Sequence, residues 1–342
     1  MSPKTSSSKL QFRVEGYVFD FRNICRFLRG KHILLEAPQG LIRLLDKIAQ
    51  WLKVECGVKT CYLRLDPAFG GCDIGYTYAK QIGVDAIVHI GHAVYPLCPQ
   101  SMSKEKVEVY YVPGYYVENM EAHVNEIVCC VGSSKRVAIA YVVQHKQLVD
   151  MLVQVLGSRL VLAEQILGCW YGRLPQVYDQ IDKLIVIGGG WFHVLGLCLA
   201  IGDCSKILIF DPFDNRRHCV NVCEQCRKLL MKRLWLLEEL RSKSLKRVAV
   251  VIGLKTCQFR QTMVEHVKKI LELHRVNYDL YVNIEMSREK LLNMEPWKYD
   301  AIVVTSCPRL AIDDYGDVKP PLLTPGELKY VLGLVERYVF PW

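Results

Sequence analysis

Short apolar runs alternate along this chain with longer stretches in which apolar residues recur every three or four positions. The runs read as buried parallel strands ending at a loop, and the longer stretches as amphipathic helices. Three runs share one design. "VDAIVHIGH" from Val84, "IDKLIVIGGG" from Ile181 and "YDAIVVTSCP" from Tyr299 each set an Asp before the apolar residues and a polar or Gly-rich turn after them. A second set precedes these: "HILLEAPQG" from His32, "RVAIAYVVQ" from Arg136 and "RVAVVIGLK" from Arg247, each opening on a basic residue. Helical patterns follow. Leu41, Leu45, Ile48 and Leu52 share one face in the first copy, and "QTMVEHVKKILELH" repeats that spacing in the third. The copies lie about a hundred residues apart, a normal domain size. The pattern predicts an α/β chain of three similar Rossmann-like parallel-sheet domains, a pseudo-threefold triplication around a shared centre. The expected division is a flexible N-terminus over 1–10 and domains over 11–125, 126–238 and 239–342, with boundaries near 115–133 and 228–246.

Composition narrows the class. Hydrophobic residues make up 51% of 342, which suits a globular protein and not a disordered one. The net charge of +9 fits a nucleic acid or a large acidic protein surface, but no block of five or six like charges forms a basic tail. The first residues, "MSPKTSSSKL", lack the apolar core of a signal peptide, so a cytoplasmic location is expected. There, thiols and metal ligands are favoured over disulfides, hyperthermophile proteins being the exception. Leu184 to Ile201 imitates a membrane span, but its Gly-Gly-Gly and His predict a buried strand, a turn and a buried helix, so no membrane partner is expected.

Fifteen cysteines raise the question of metal. "HCVNVCEQCRKL" spaces Cys219, Cys223 and Cys226 as C-x3-C-x2-C, the spacing by which radical S-adenosylmethionine enzymes hold a 4Fe–4S cluster. The surrounding "RRHCVNVCEQCRKLLMKRLWLLEEL" reads as one helix, however, with the three thiols on one face as packing residues between the second and third domains. Position favours other cysteines. Cys72 in "DPAFGGCDIG", Cys169 in "EQILGCWYG" and Cys307 in "VVTSCPRLAIDD" each lie in a strand-end loop, where ligands bind in such folds. Their spacing alone carries no motif, and buried core cysteine is the default reading for such a trio.

"LLEAPQGLIRLL", "DPAFGGCDIG", "VHIGHAVYP", "LGCWYG", "GGGWFH", "FDPFDN" and "CPRLAIDDYGDVKPPLLTPGEL" occur in the order found in 2-(3-amino-3-carboxypropyl)histidine synthases, and from about residue 30 onward the chain resembles that diphthamide-biosynthesis family. The resemblance implies that Cys72, Cys169 and Cys307, one from each domain, hold a central 4Fe–4S cluster. It implies S-adenosylmethionine as substrate and an aminocarboxypropyl radical that adds to C2 of a histidine in translation elongation factor 2. It also implies an electron donor and, because all three cysteines are present without long insertions, an archaeal-type homodimer. No direct contact with nucleic acid is expected. The competing classes are a quinolinate-synthase-like 4Fe–4S dehydratase and a non-catalytic iron–sulfur partner subunit.

Other assignments are looser. Gly188, Gly189, Gly190 and His193 follow a strand and open a helix, so they either meet the cofactor with backbone amides or form only a tight turn. Lys255, Gln258 and Arg260 lie beyond a strand, as carboxylate-binding residues or as a solvated loop. His89 and His92 line the pocket on this reading, with no carboxylate or cysteine spaced to complete a zinc site. Asp313 and Asp314 cap a turn or shape the pocket, a general acid–base role being the weaker alternative.

Overall fold

The computed structural model describes residues 10–98, 107–214 and 219–342. Of the expected flexible residues 1–10, all but Leu10 lie outside the described residues, and the Leu10 carbonyl accepts the Phe21 amide at 3.0 Å. Sixteen strands occur among the described residues: β1 Gln11–Val14, β2 Tyr17–Asp20, β3 His32–Glu36, β4 Thr60–Leu63, β5 Ala86–Ile90, β6 Glu108–Val112, β7 Gly114–Tyr116, β8 Val137–Tyr141, β9 Leu160–Gln165, β10 Lys183–Ile187, β11 Ile207–Phe210, β12 Val220–Asn221, β13 Arg247–Gly253, β14 Asn277–Asn283, β15 Ala301–Val304 and β16 Leu322–Leu323. Three parallel sheets result, ordered β4-β3-β5-β6, β9-β8-β10-β11 and β14-β13-β15-β16. In each, the first strand of the set lies between the second and third. β12 adds an antiparallel edge to the second sheet, and β1-β2-β7 form a small antiparallel sheet of their own.

The two sequence markers turn out to be bonded to each other. Asp85 accepts the His32 amide at 2.8 Å. Asp182 accepts the amides of Lys135 and Arg136 at 2.8 and 2.9 Å, and Asp300 those of Lys246 and Arg247 at 2.6 and 2.8 Å. The backbone answers each time, the Asp amide donating to the carbonyl of His32, Arg136 or Arg247. A carboxylate at the start of the third strand thus takes the amides that the opening of the central strand leaves unpaired, and it fixes the register.

The chain divides into two compact units, Met1–Met120 with Val143–Asp150, and Glu121–Val142 with Met151–Trp342. The first holds the first parallel sheet. Its core is β3 and β5 packed on Leu41, Leu45, Ile48 and Leu52, the face expected of the Leu45–Glu55 helix and the turn before it. The second unit holds the other two sheets. Val264, Val267, Ile270 and Leu271 of the Gln261–Leu273 helix cover the third sheet at the predicted spacing. Leu184 to Ile201 folds as the strand β10, a turn and the Phe192–Ile201 helix, and among the described residues no helix is long and apolar enough to cross a membrane.

The long helix corrects one expectation. It spans Cys223–Lys243, starting later than the periodicity suggested, because Val220 and Asn221 pair with β11 and the Asn221 side chain accepts the Cys223 amide at 2.8 Å. Residues 215–218 lie outside the described residues. The helix does run between two cores: Cys223, Cys226, Leu229 and Leu230 pack in the second sheet's core, and Leu234, Leu237 and Leu240 in the third's. Buried Arg233 locks it to the C-terminal segment through paired 2.7 Å bonds to Glu327. Disulfides were disfavoured by the expected compartment, yet Cys25–Cys56 and Cys130–Cys219 are both bonded. Cys219 therefore leaves the helix face assigned to it.

Candidate functional site

Each of the three strand-end cysteines is positioned by its own sheet. Cys72 lies in the loop after β4, half-buried and outside any disulfide. Glu36, fully buried at the end of β3, accepts Arg64 Nη1 at 3.0 Å and the Gly75 amide at 2.9 Å. Arg64 also donates to the Asp73 carboxylate at 3.2 Å and to the Asp73 carbonyl at 3.3 Å, while Asp73 Oδ2 accepts the Phe69 amide at 3.2 Å. The loop carrying Cys72 is thus tied on both sides to a buried ion pair. Gly71 lets it lie close, since a Cβ there would meet the Ala93 carbonyl oxygen at 2.2 Å.

The same carboxylate reaches the two histidines. His89 stands opposite Glu36 in the parallel register, its Nδ1 lies 2.6 Å from Glu36 Oε1, and its Nε2 lies 2.9 Å from His92 Nδ1. The carboxylate serving these histidines is far from them along the chain: Glu36 arrives across the sheet. The Tyr111 ring lies tilted against His89 with centroids 5.1 Å apart, and its hydroxyl donates to the Gly71 carbonyl at 2.8 Å. Burial first, and then the charges of Tyr76, Glu36 and Cys72, push its phenol above the usual range.

In the second unit, Cys169 follows β9 and Cys307 follows β15, both half-buried and outside any disulfide. They bear on one group. Tyr171 is buried, donates to the Gly168 carbonyl at 2.8 Å, and is raised well above its ordinary value by burial and then by the charges of Cys169, Cys198 and Cys307. A Cβ on Gly168 would sit 1.9 Å from the Phe192 ring, so the glycine before Cys169 serves close packing. Arg309, two residues beyond Cys307, lies over Phe192 at 5.5 Å and pairs with Asp313 and Asp314 at 3.1 Å each. Burial raises the Asp314 carboxyl against the pull of Arg309.

The looser assignments divide. Gly188 and Gly190 occupy the expected turn between β10 and the Phe192–Ile201 helix. Their amides, however, are spent on the Phe210 carbonyl at 3.1 Å and the Asp211 carboxylate at 3.2 Å, as a tight turn requires. Gly189 lies beside Asp211 and Phe213. His193 Nδ1 is buried without a hydrogen-bond partner; burial, then Arg309, lowers the imidazole to about 4, so it is neutral at pH 7. Gln258 lies near Ser306, the neighbour of Cys307, against the open face of Gly253. Lys255 accepts the Gln258 amide on its carbonyl at 2.9 Å. Arg260 stacks on the Trp342 ring at 3.7 Å. Glu36 and Arg64 are the residues the sequence reading missed. Their only signal was a charge closing each of the strands "HILLE" and "TCYLR".

The donor chemistry suits an iron–sulfur cluster: three thiols in strand-end loops, partly open, with half-buried Tyr111 and buried Tyr171 close enough to feel their charge. Among the described residues no three Cys, His, Asp or Glu side chains converge as they would on a single ion. A four-iron cube sets its thiolates farther apart than one ion does, so that finding bears on mononuclear sites such as zinc.

Fold and site together define an α/β protein on three parallel sheets with a thiol-bearing loop beyond each. The chain belongs to the diphthamide synthesis protein family, whose profile matches residues 37–339. It is 28% identical over 327 residues to the 2-(3-amino-3-carboxypropyl)histidine synthase of Pyrococcus horikoshii, covering 91% of this chain and 88% of that protein. The synthase of the same name from Methanocaldococcus jannaschii is 27% identical over 319 residues, covering 90% and 86%. The crystal structure of Dph2 from Pyrococcus horikoshii with a 4Fe–4S cluster superposes with a TM-score of 0.78 at 24% identity, over 97% of this chain and 94% of that one. That likeness establishes the fold.

Proposed function

We propose that this chain is a 2-(3-amino-3-carboxypropyl)histidine synthase that transfers the aminocarboxypropyl group of S-adenosylmethionine to C2 of a histidine imidazole in translation elongation factor 2. The observation that carries the reading is the match of the family profile to residues 37–339, which takes in Cys72, Cys169 and Cys307 as strand-end thiols. On this reading those three cysteines, one from each of three α/β domains in a pseudo-threefold arrangement, hold a 4Fe–4S cluster. The names of the relatives and the cluster in the Pyrococcus horikoshii Dph2 crystal support it. The proposed setting is a cytoplasmic homodimer served by a separate electron donor.

When bound, the reduced cluster supplies the electron that breaks a carbon–sulfur bond of S-adenosylmethionine. The protein's part is placement. Glu36, Arg64 and Asp73 hold the Cys72 loop rigid from below. Tyr171 feels the charges of both Cys169 and Cys307, and burial keeps its phenol protonated. His193 is held neutral by burial, with Nδ1 buried and unsatisfied. On this reading Gln258, near Ser306 and with Lys255 one turn before it, meets the aminocarboxypropyl end.

The test is anaerobic reconstitution with iron and sulfide, followed by dithionite, S-adenosylmethionine and elongation factor 2. Methylthioadenosine and one histidine heavier by the aminocarboxypropyl group are expected. Release of 5′-deoxyadenosine instead would overturn the proposed bond selectivity. Cys72→Ala, Cys169→Ala and Cys307→Ala should each lose the cluster's visible absorbance and the product, whereas a Cys219/Cys223/Cys226 triple alanine keeps both. Iron retained by Cys307→Ala and lost by the triple variant would reverse the ligand assignment.

A further inference from the structure

The C-x3-C-x2-C stretch is not consumed by the proposed reaction, and the structure splits it. Cys219 is bonded to Cys130. Cys223 and Cys226 occupy the first turn of the Cys223–Lys243 helix, three residues apart and so on one face. Two thiols from elsewhere join them: Cys198 of the Phe192–Ile201 helix, and Cys204 from the turn before β11. All four are free. Cys204 Sγ donates to the Cys223 carbonyl at 4.0 Å, and Cys226 packs with Cys198 and Cys204 in one core. Cys198, Cys204 and Cys226 are buried in the second sheet's core, and Cys223 is half-exposed at its edge.

Contact with Cys226 and burial push the Cys198 thiol up, and burial first pushes the Cys204 thiol up to about 12, so both stay protonated. Cys226 is drawn the other way by Cys198, against burial. Cys223 lies at the edge of the core as the most accessible of the four.

Among the described residues no three of these thiols converge on one ion, which sets zinc aside. Neighbouring thiols can still exchange and oxidise. The same chain already carries oxidised pairs in both units, one of them through Cys219. A C-x2-C pair in the first turn of a helix, its leading thiol half-exposed and its second buried, is the arrangement of thiol–disulfide exchange sites.

We propose that Cys223 and Cys226 form a redox-active dithiol that reacts with external disulfides, with Cys198 and Cys204 packed beside it in the core. The Cys223 thiolate attacks a disulfide RSSR, forming the mixed disulfide Cys223–S–SR and releasing one RS⁻. Cys226 then attacks Cys223 Sγ and releases the second RS⁻. Two protein thiols lose two protons and two electrons, and the external disulfide is reduced to two thiols. None of this depends on the assignment of Cys72, Cys169 and Cys307.

The full-length protein is equilibrated in glutathione buffers of rising glutathione-disulfide content, quenched with N-ethylmaleimide and cleaved after Glu224, which separates the two thiols. Cys223 and Cys226 should lose label together, with their peptides joined until reduction. In Cys226→Ser the second step is blocked, so one glutathione should remain on Cys223. Full labelling of both thiols in a buffer that leaves Cys25 and Cys56 protected would sink the proposal. So would a Cys226→Ser protein without the adduct, or zinc bound at one per chain and released when the thiols are blocked.

Discussion

A carboxylate removed from water needs its lone pairs filled, and Glu36 fills them from three directions: Arg64, the Gly75 amide and His89. Arg64 in turn serves both Glu36 and Asp73. The two partners are therefore unequal. Arg64→Leu leaves two buried carboxylates without a counter-charge, which costs about 3–5 kcal/mol. Glu36→Gln keeps an acceptor for Gly75 and leaves Arg64 paired with Asp73, so the loss is that of one strong hydrogen bond, about 1–2 kcal/mol. Urea unfolding of the two variants checks the order, and equal losses would show that Asp73 needs no charge from Arg64. This is also why the site was only half legible at this scale. Cys72 announces itself through the turn residues around it, whereas Glu36 and Arg64 are single charges closing apolar runs. Their meaning appears only when β3 and β4 pair.

The element scale was the most legible, and the Asp braces show why. A strand buried on both faces must be apolar, so its sequence cannot alternate, and its ends must then carry the polar information. Asp85, Asp182 and Asp300 carry it in each sheet by accepting the opening amides of the central strand. Those amides draw the Asp182 carboxyl below the usual range. Its contribution is therefore present above the ordinary carboxylate pKa and fades as the pH falls through the depressed value. Each brace should act locally. Asp182→Ala is expected to speed amide exchange at Lys135 and Arg136 and to leave Lys246 and Arg247 unchanged, with Asp300→Ala giving the converse pattern. A uniform rise across both sheets would mean that the braces stabilise the unit as a whole. The long helix was misjudged for a related reason. Periodicity is blind to the two residues, Val220 and Asn221, that a neighbouring strand takes up before the helix begins.

At the scale of the whole molecule, the three-sheet plan was visible in the repeated strand markers and the family in the order of seven short blocks, while the pairing of cysteines was not. Spacing says nothing about which thiols meet across distant segments, and the expected reducing compartment argued against any pairing. The disulfides give a measurable contrast. Cys25–Cys56 closes a sequence separation of 31 and Cys130–Cys219 one of 89. Chain entropy makes the longer closure worth more, about 4.5 against 3.5 kcal/mol, because it removes more freedom from the unfolded chain. Cys130→Ser should therefore lower the unfolding free energy by about 1 kcal/mol more than Cys25→Ser does, in denaturant titrations of otherwise oxidised protein. The loss should also be confined to the second unit, where Cys130 anchors the Met120–Val131 helix to the start of β12. Exchange protection lost in β3 or β5 on mutating Cys130 would show that the two units unfold as one. A Cys25→Ser loss equal to or larger than that of Cys130→Ser would mean that native packing around the shorter bond, not chain entropy, sets its worth.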